Sequence, residues 1–130
     1  MYQKTTRSIV VTVKPTYLAD RSSPSDDRYM WAYEVRIENH GHETVRLRSR
    51  HWHITDALGR VLEVRGPGVI GEQPVLEPGQ AFEYTSGTPL STPSGIMEGS
   101  YRMETRDGES FDAAIPAFSL DSPQAGRRLN

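Results

Sequence analysis

The chain of 130 residues contains no cysteine, which excludes a disulfide framework, thiolate metal ligands and a cysteine nucleophile, and suits a reducing compartment. Long apolar runs are missing too. Met1 to Val13 holds nothing like the hydrophobic centre of a signal peptide, and no stretch approaches the roughly 20 apolar residues of a spanning helix. A soluble, cytoplasmic protein without membrane insertion is expected. Lysine is scarce: of fifteen basic residues only Lys4 and Lys14 are lysine, the other thirteen being arginine. Planar, bidentate contacts with carboxylate or phosphate are therefore favoured over diffuse point charge, although a compositional habit of the source genome gives the same count. The net charge of −2 supplies no overall attraction to nucleic acid or to anionic membranes.

A sustained 3.6-residue apolar period is also absent, and one region rules helix out by itself. Seven of the eleven glycines and five of the nine prolines fall between Gly66 and Gly99. Glycine relieves the steric limits on φ and proline removes a backbone donor, so the backbone of such a segment is dictated by its residues. What is present instead is alternation. Ile9, Val11 and Val13 form a half-buried strand ended by Pro15, and Tyr29, Trp31, Tyr33, Val35 and Ile37 form a second with Glu34, Arg36 and Glu38 between them. The polar run from Asp20 to Arg28 reads as a mobile connection. Asn39-His40-Gly41 supplies turn chemistry, which predicts an antiparallel hairpin return.

The returning strand, Thr44 to Thr55, changes parity, because Val45 and Leu47 are apolar at odd positions whereas Trp52 and Ile54 are apolar at even ones. A one-residue slip sends every later side chain to the other face, so a β-bulge is expected near Ser49 to His51. With it, Arg46, Arg48, His51 and His53 all face outward as a basic, titratable strip. Asp56-Ala57-Leu58-Gly59 then reads as a turn, Leu62 with Val64 and Phe82 with Tyr84 as short strands, and Asp107-Gly108 as the hairpin between Tyr101/Met103 and Phe111/Ala113/Ile115. About seven short strands favour an all-β antiparallel sandwich. One domain spans residues 1–120, with 121–130 as a disordered tail.

The stretch from Arg50 to Met103, with WAYEVRIEN before it, resembles the ApaG family. The resemblance rests on Trp52, Ile54, Asp56 and Gly59, then Gly66-Pro67-Gly68-Val69 with Gly71-Glu72-Gln73-Pro74, Pro78-Gly79, Phe82-Glu83-Tyr84, Ser86-Gly87 and Gly95-x-Met97-x-Gly99-x-Tyr101-x-Met103. It implies a fibronectin type III-like (immunoglobulin-like) sandwich. It also implies a genetic link to cobalt tolerance and magnesium efflux, from which the alternative name CorD comes, and a role as a binding module, since similar domains are fused to F-box proteins. No catalytic residues are implied.

Three groups of residues are candidates for chemistry. Gly66, Gly68 and Gly71 satisfy G-x-G-x-x-G, whose amides can cradle phosphate or pyrophosphate, but that loop needs a helix after it and Glu72, Pro74 and Pro78 disfavour one. A structural turn is the preferred reading, an anion-binding nest the alternative. His40-x-His42 and His51-x-His53 each place two imidazoles on one face, yet a stable metal site needs further ligands that the sequence does not supply, so no metal and no other cofactor is expected. Ser86-Gly87 and Ser94-Gly95 lack the pattern of a nucleophile elbow, and alternation sends Tyr29, Trp31, Tyr33 and Trp52 to the core rather than to stacked bases. The residues favour a non-enzymatic module that binds an unidentified protein partner, itself a monomer or weak homodimer; nucleic acid is disfavoured. The alternative is a small-ligand sensor for a divalent cation or a phosphate-bearing metabolite.

Overall fold

Alternating apolar and polar residues build two antiparallel sheets in a computed structural model that describes residues 1–125. Nine strands follow one another: β1 (Tyr2–Thr6), β2 (Ile9–Tyr17), β3 (Tyr29–Asn39), β4 (Val45–Asp56), β5 (Val61–Pro67), β6 (Val75–Leu76), β7 (Ala81–Leu90), β8 (Ser94–Thr105) and β9 (Ser110–Asp121). One sheet has the order β1-β2-β3-β7, the other β5-β4-β8-β9 with β6 paired to β4. The sandwich and its core-facing positions match the alternation. Val11, Val13, Ile37, Leu47, Tyr101 and Met103 are completely buried between the sheets. Among the described residues no helix is long and apolar enough to cross a membrane.

Four sequence expectations change. β1 and β6 bring the count to nine, both too short or too polar to show a clear alternation. The run Asp20 to Arg28 contains two 3-10 turns, Ala19–Arg21 and Pro24–Asp26, rather than a loose connection. The Ser22 hydroxyl fastens it, donating to the Leu18 carbonyl and accepting from the Met30 amide, each at 2.8 Å. β3 and β4 do not form a hairpin: β3 pairs with β2 and β7, β4 with β5, β6 and β8. The turn after Asn39 therefore carries the chain between sheets. Buried Asn39 holds this crossing by donating its amide to the carbonyls of Glu43 (2.7 Å) and Leu76 (2.9 Å). Finally, the tail begins later than residue 121. Asp121 ends β9, and the buried Ser122 donates its N–H to the Pro93 carbonyl at 3.0 Å. Residues 126–130 of the expected tail lie outside the described residues.

The parity change in β4 is present and its cause is a bulge. Leu47 faces Met103 and Ser49 faces Arg102 of β8, so Arg48 is the extra residue, one position ahead of the expected Ser49–His51. Val45 and Leu47 before it and Trp52 and Ile54 after it are all buried. β9 carries a second irregularity, since Met97 faces Phe118 but Gly99 faces Ile115. The additional residue lies at Pro116–Ala117, where proline's missing N–H interrupts no regular ladder, and it turns Phe118 and Leu120 inward.

The glycine-rich segment is mostly strand, not loop. Its central turn is a tight hairpin in which Val69 and Glu72 exchange N–H···O bonds of 2.8 and 2.9 Å, with Ile70 and Gly71 both at positive φ (43° and 78°), as a type I′ turn requires. Gly68 precedes it at φ +59°, where an added Cβ would lie 2.1 Å from the Glu72 carbonyl oxygen, whereas a Cβ on Gly71 would meet nothing within 4 Å. Gly71→Ala should therefore lose about 1 kcal/mol from left-handed strain alone, and Gly68→Ala roughly 3 kcal/mol or more because the turn must also open. Urea unfolding of the two variants checks this order, and equal losses would contradict it.

Candidate functional site

The Arg48 bulge decides which side chains of β4 reach solvent. Residues directly opposite in an antiparallel pair share a face, so one outward row is Arg65–His51–Ser100 and the next is Pro67–Ser49–Arg102–Asp112. With Arg48 beside them these rows line an open cleft of about 470 Å³. Besides Arg50, which also lines it, three arginines and one histidine from β4, β5 and β8 thus stand around two serines. Each arginine has a carboxylate of its own chain nearby: Arg102 at 2.8 Å from Asp112, Arg65 at 3.4 Å from Glu63, Arg48 at 3.9 Å from Glu104. His51 Nε2 lies 2.8 Å from Glu63 Oε1, and this hydrogen bond holds the Glu63 carboxyl below its ordinary pKa. These contacts use few of the five N–H donors on each guanidinium.

Of the expected strip, Arg48 and His51 enter the cleft. Arg46 faces outward beyond it and donates to the Gln73 carbonyl at 3.2 Å; His53 lies one row away, between Glu63 and Glu98. Among the described residues no three His, Asp or Glu side chains converge as metal ligands. Of the three glycines only Gly66 touches the cleft. The amides near it are committed, Gly68 N–H to the Arg48 carbonyl at 2.9 Å and Val69 N–H to Glu72, and the segment leads into a turn rather than a helix.

Arg65 and Arg102 were readable as outward positions by parity with Val64 and Tyr101, but nothing local in the sequence draws Arg65, Arg102 and Asp112 to Arg48. Arg50 was hidden for a different reason. It faces Tyr101 and Gly66 across the ladders, which places its side chain on the core side, where alternation calls for an apolar residue. Its Nη1 donates to the carbonyls of Pro67 (3.1 Å) and Gly68 (3.0 Å), and a Cβ on Gly66 would lie 2.9 Å from it. A side chain at 66 would thus push against the guanidinium, whose two bonds anchor the end of β5 to β4.

Beside it lies a phenol cluster. The Tyr84 and Tyr101 hydroxyls share a hydrogen bond between the two sheets. Burial pushes the phenols of Tyr33, Tyr84 and Tyr101 up, with the Arg50 charge acting weakly the other way, so all three stay neutral at physiological pH. Replacing Tyr101 by Phe should cost about 1–3 kcal/mol by leaving the Tyr84 hydroxyl without its partner. Tyr84→Phe/Tyr101→Phe should then lose less than the sum of the single changes, as measured by urea unfolding; strict additivity would show that the hydroxyls are not coupled.

A family model described as "ApaG domain" matches residues 19–105. Protein ApaG of Paramagnetospirillum magneticum is 68% identical over 130 residues, covering 100% of both chains. Protein ApaG of Rhodospirillum centenum matches at 68% with the same coverage. Among solved structures, the putative ApaA protein from Bordetella pertussis superposes with a TM-score of 0.86 at 48% identity, over 89% of this chain and 94% of that one. The C-terminal domain of wzt, at 11% identity and a TM-score of 0.54 over 93% of this chain and 77% of that one, shares the fold alone.

Proposed function

Because the chain belongs to the ApaG family, and because its arginine-lined surface is an open cleft rather than an enclosed pocket, we propose that it is a non-enzymatic binding module for a protein partner. The observation that carries this reading is the convergence of Arg48, Arg65, Arg102 and His51 from three adjacent strands. Their guanidinium groups are held at one end by intramolecular carboxylates and keep further N–H donors for a visitor. A carboxylate-bearing segment of a partner fits this chemistry, exchanging surface ion pairs that are individually worth about 0–1 kcal/mol for bidentate ones. Small metabolites are commonly buried over most of their surface, and an open sheet face does not offer that. Catalysis is left out of the proposal: Ser100 lies opposite His51 on the ladder, but His51 Nε2 is hydrogen-bonded to Glu63 rather than to either cleft serine, and the buried phenols are kept neutral.

Proteins retained from the organism's own cytoplasm test the reading. Retention should be strong at about 50 mM salt, fall at about 500 mM as screening grows, and be lost with Arg48→Glu/Arg102→Glu; identical retention by that variant would contradict the proposal. The sensor alternative is separated by calorimetry. With His51 already hydrogen-bonded to Glu63, Co²⁺ should show no submicromolar one-to-one binding to the tag-free chain. Pyrophosphate should leave its melting temperature unchanged, because a ligand that does not bind the native state does not stabilise it.

A further inference from the structure

Strand β5 pairs with β4 on one side only, and three of the most exposed large apolar residues lie on it or in the turn before it: Leu58 (66% exposed), Val61 (52%) and Leu62 (57%). Its ladder with β4 fixes which backbone groups are free. The Gly68 N–H donates to the Arg48 carbonyl and the Asp56 N–H to the Arg60 carbonyl. Hydrogen-bonded pairs alternate along an antiparallel ladder, so Leu62, Val64 and Gly66 turn their amides to β4 while Val61, Glu63 and Arg65 turn theirs to the empty side. The carbonyls of His51 and Thr55 point the opposite way, toward Gly99 and Gly95 of β8, as this alternation demands.

We infer that this edge pairs with the same edge of a second copy of the chain, in an antiparallel two-fold arrangement centred on Val64. Opposed residues must share a face, so a two-fold axis through the sheet passes at a residue rather than between two, and the registers that overlap most of β5 centre on Glu63, Val64 or Arg65. Centring on Glu63 opposes two glutamates, and centring on Arg65 opposes two arginines. Centring on Val64 sets Glu63 of each copy opposite Arg65 of the other, and each such pair exchanges both of its free main-chain N–H···O bonds. The same register brings Leu62 of one copy beside Gly66 of the other, where the Arg50 guanidinium lies, and Val64 against Val64. Within one chain the Glu63–Arg65 contact is a loose 3.4 Å and, like the 2.8 Å bond from His51, uses Glu63 Oε1, which leaves Oε2 and the Arg65 guanidinium to pair across the axis. The other edges lack this complementarity. β7 carries Glu83 as its only charge, with Gly87 and Pro89 in its length. β1 and β9 are tied to each other by Thr6–Ala114 and Tyr2–Ser119 bonds. The edge shares Arg65 with the cleft, so pairing would occupy one of the cleft's guanidinium groups, leave Arg48 and Arg102 to the cleft's partner, and place two clefts on one continuous sheet face.

Sedimentation equilibrium of the full chain, from about 5 to about 500 µM, should show a reversible dimer with a dissociation constant within about that range, as the small interface implies. Glu63→Arg and Arg65→Glu should each weaken association at least about tenfold, because like charges then face each other twice. The double reversal Glu63→Arg/Arg65→Glu should restore it to within about threefold, since opposite charges are again opposed. A wild-type chain that stays monomeric throughout would overturn the proposal. So would single reversals that dimerise like the wild type, or a double reversal no better than the singles. Hydrogen exchange on the wild type gives a readout that needs no variant. The amides of Glu63 and Arg65 should slow as concentration rises while that of Val64 stays unchanged; protection that appears on β7 or β1 instead would contradict this edge.

Discussion

One extra residue in β4 sets most of what this protein buries and displays. Without the bulge at Arg48, a regular strand that buries Val45 and Leu47 would turn Trp52 and Ile54 to water, because the side-chain period of a strand is two. With it, both halves contribute to the core. The same shift sends Ser49 and His51 outward and Arg50 inward. The core and the cleft are thus two faces of a single local irregularity, and the arginine at the bulge is itself one of the cleft's walls.

What the shift brings inward is a cluster of rings rather than a layer of aliphatic groups. Trp52 meets Tyr33 edge-on at 5.2 Å and Phe118 at 6.1 Å, the arrangement preferred by aromatic quadrupoles. Phe118 reaches it only because β9 is itself irregular around Pro116. Gly99 lies directly opposite Trp52 on β8, where any Cβ would lie 2.1 Å from the His51 carbonyl oxygen, so the two backbones approach too closely there for a side chain. The close approach of two backbones, one bulge on each side and one large ring between them explain why glycine recurs in strands that would otherwise be weakened by it.

Much of the fold was legible because period-two patterning is local. The β3 run from Tyr29 to Ile37, the parity change in β4 and the Asp107-Gly108 hairpin all follow from neighbouring residues, and the structure repeats them. Sheet membership is not local. Asn39-His40-Gly41 has hairpin chemistry, yet the Asn39 amide bonds to Leu76, far along the chain, and the next strand joins the other sheet. The candidate site was legible in part for the same reason. Arg48 and His51 could be placed on the outer face from β4 alone, whereas Arg65, Arg102 and Asp112 join them only through strand order. Arg50 defied its pattern because it satisfies main-chain carbonyls rather than an apolar layer. The G-x-G-x-x-G spacing, read alone, suggested a phosphate loop; its amides are consumed by a hairpin and by β4.

Core and cleft both depend on the bulge, and deleting Arg48 tests that dependence more directly than replacing it. Arg48→Ala keeps the residue count and should change stability by about 0.5 kcal/mol or less, since the side chain is exposed. Removal of the residue forces either Trp52 and Ile54 or Val45 and Leu47 out of the core, and should cost more than about 4 kcal/mol, with loss of the near-ultraviolet circular dichroism of the packed rings. A deletion variant that keeps that spectrum and unfolds at nearly the wild-type urea concentration would show that the strand tolerates a regular register, contradicting the link between core and surface on which the account depends.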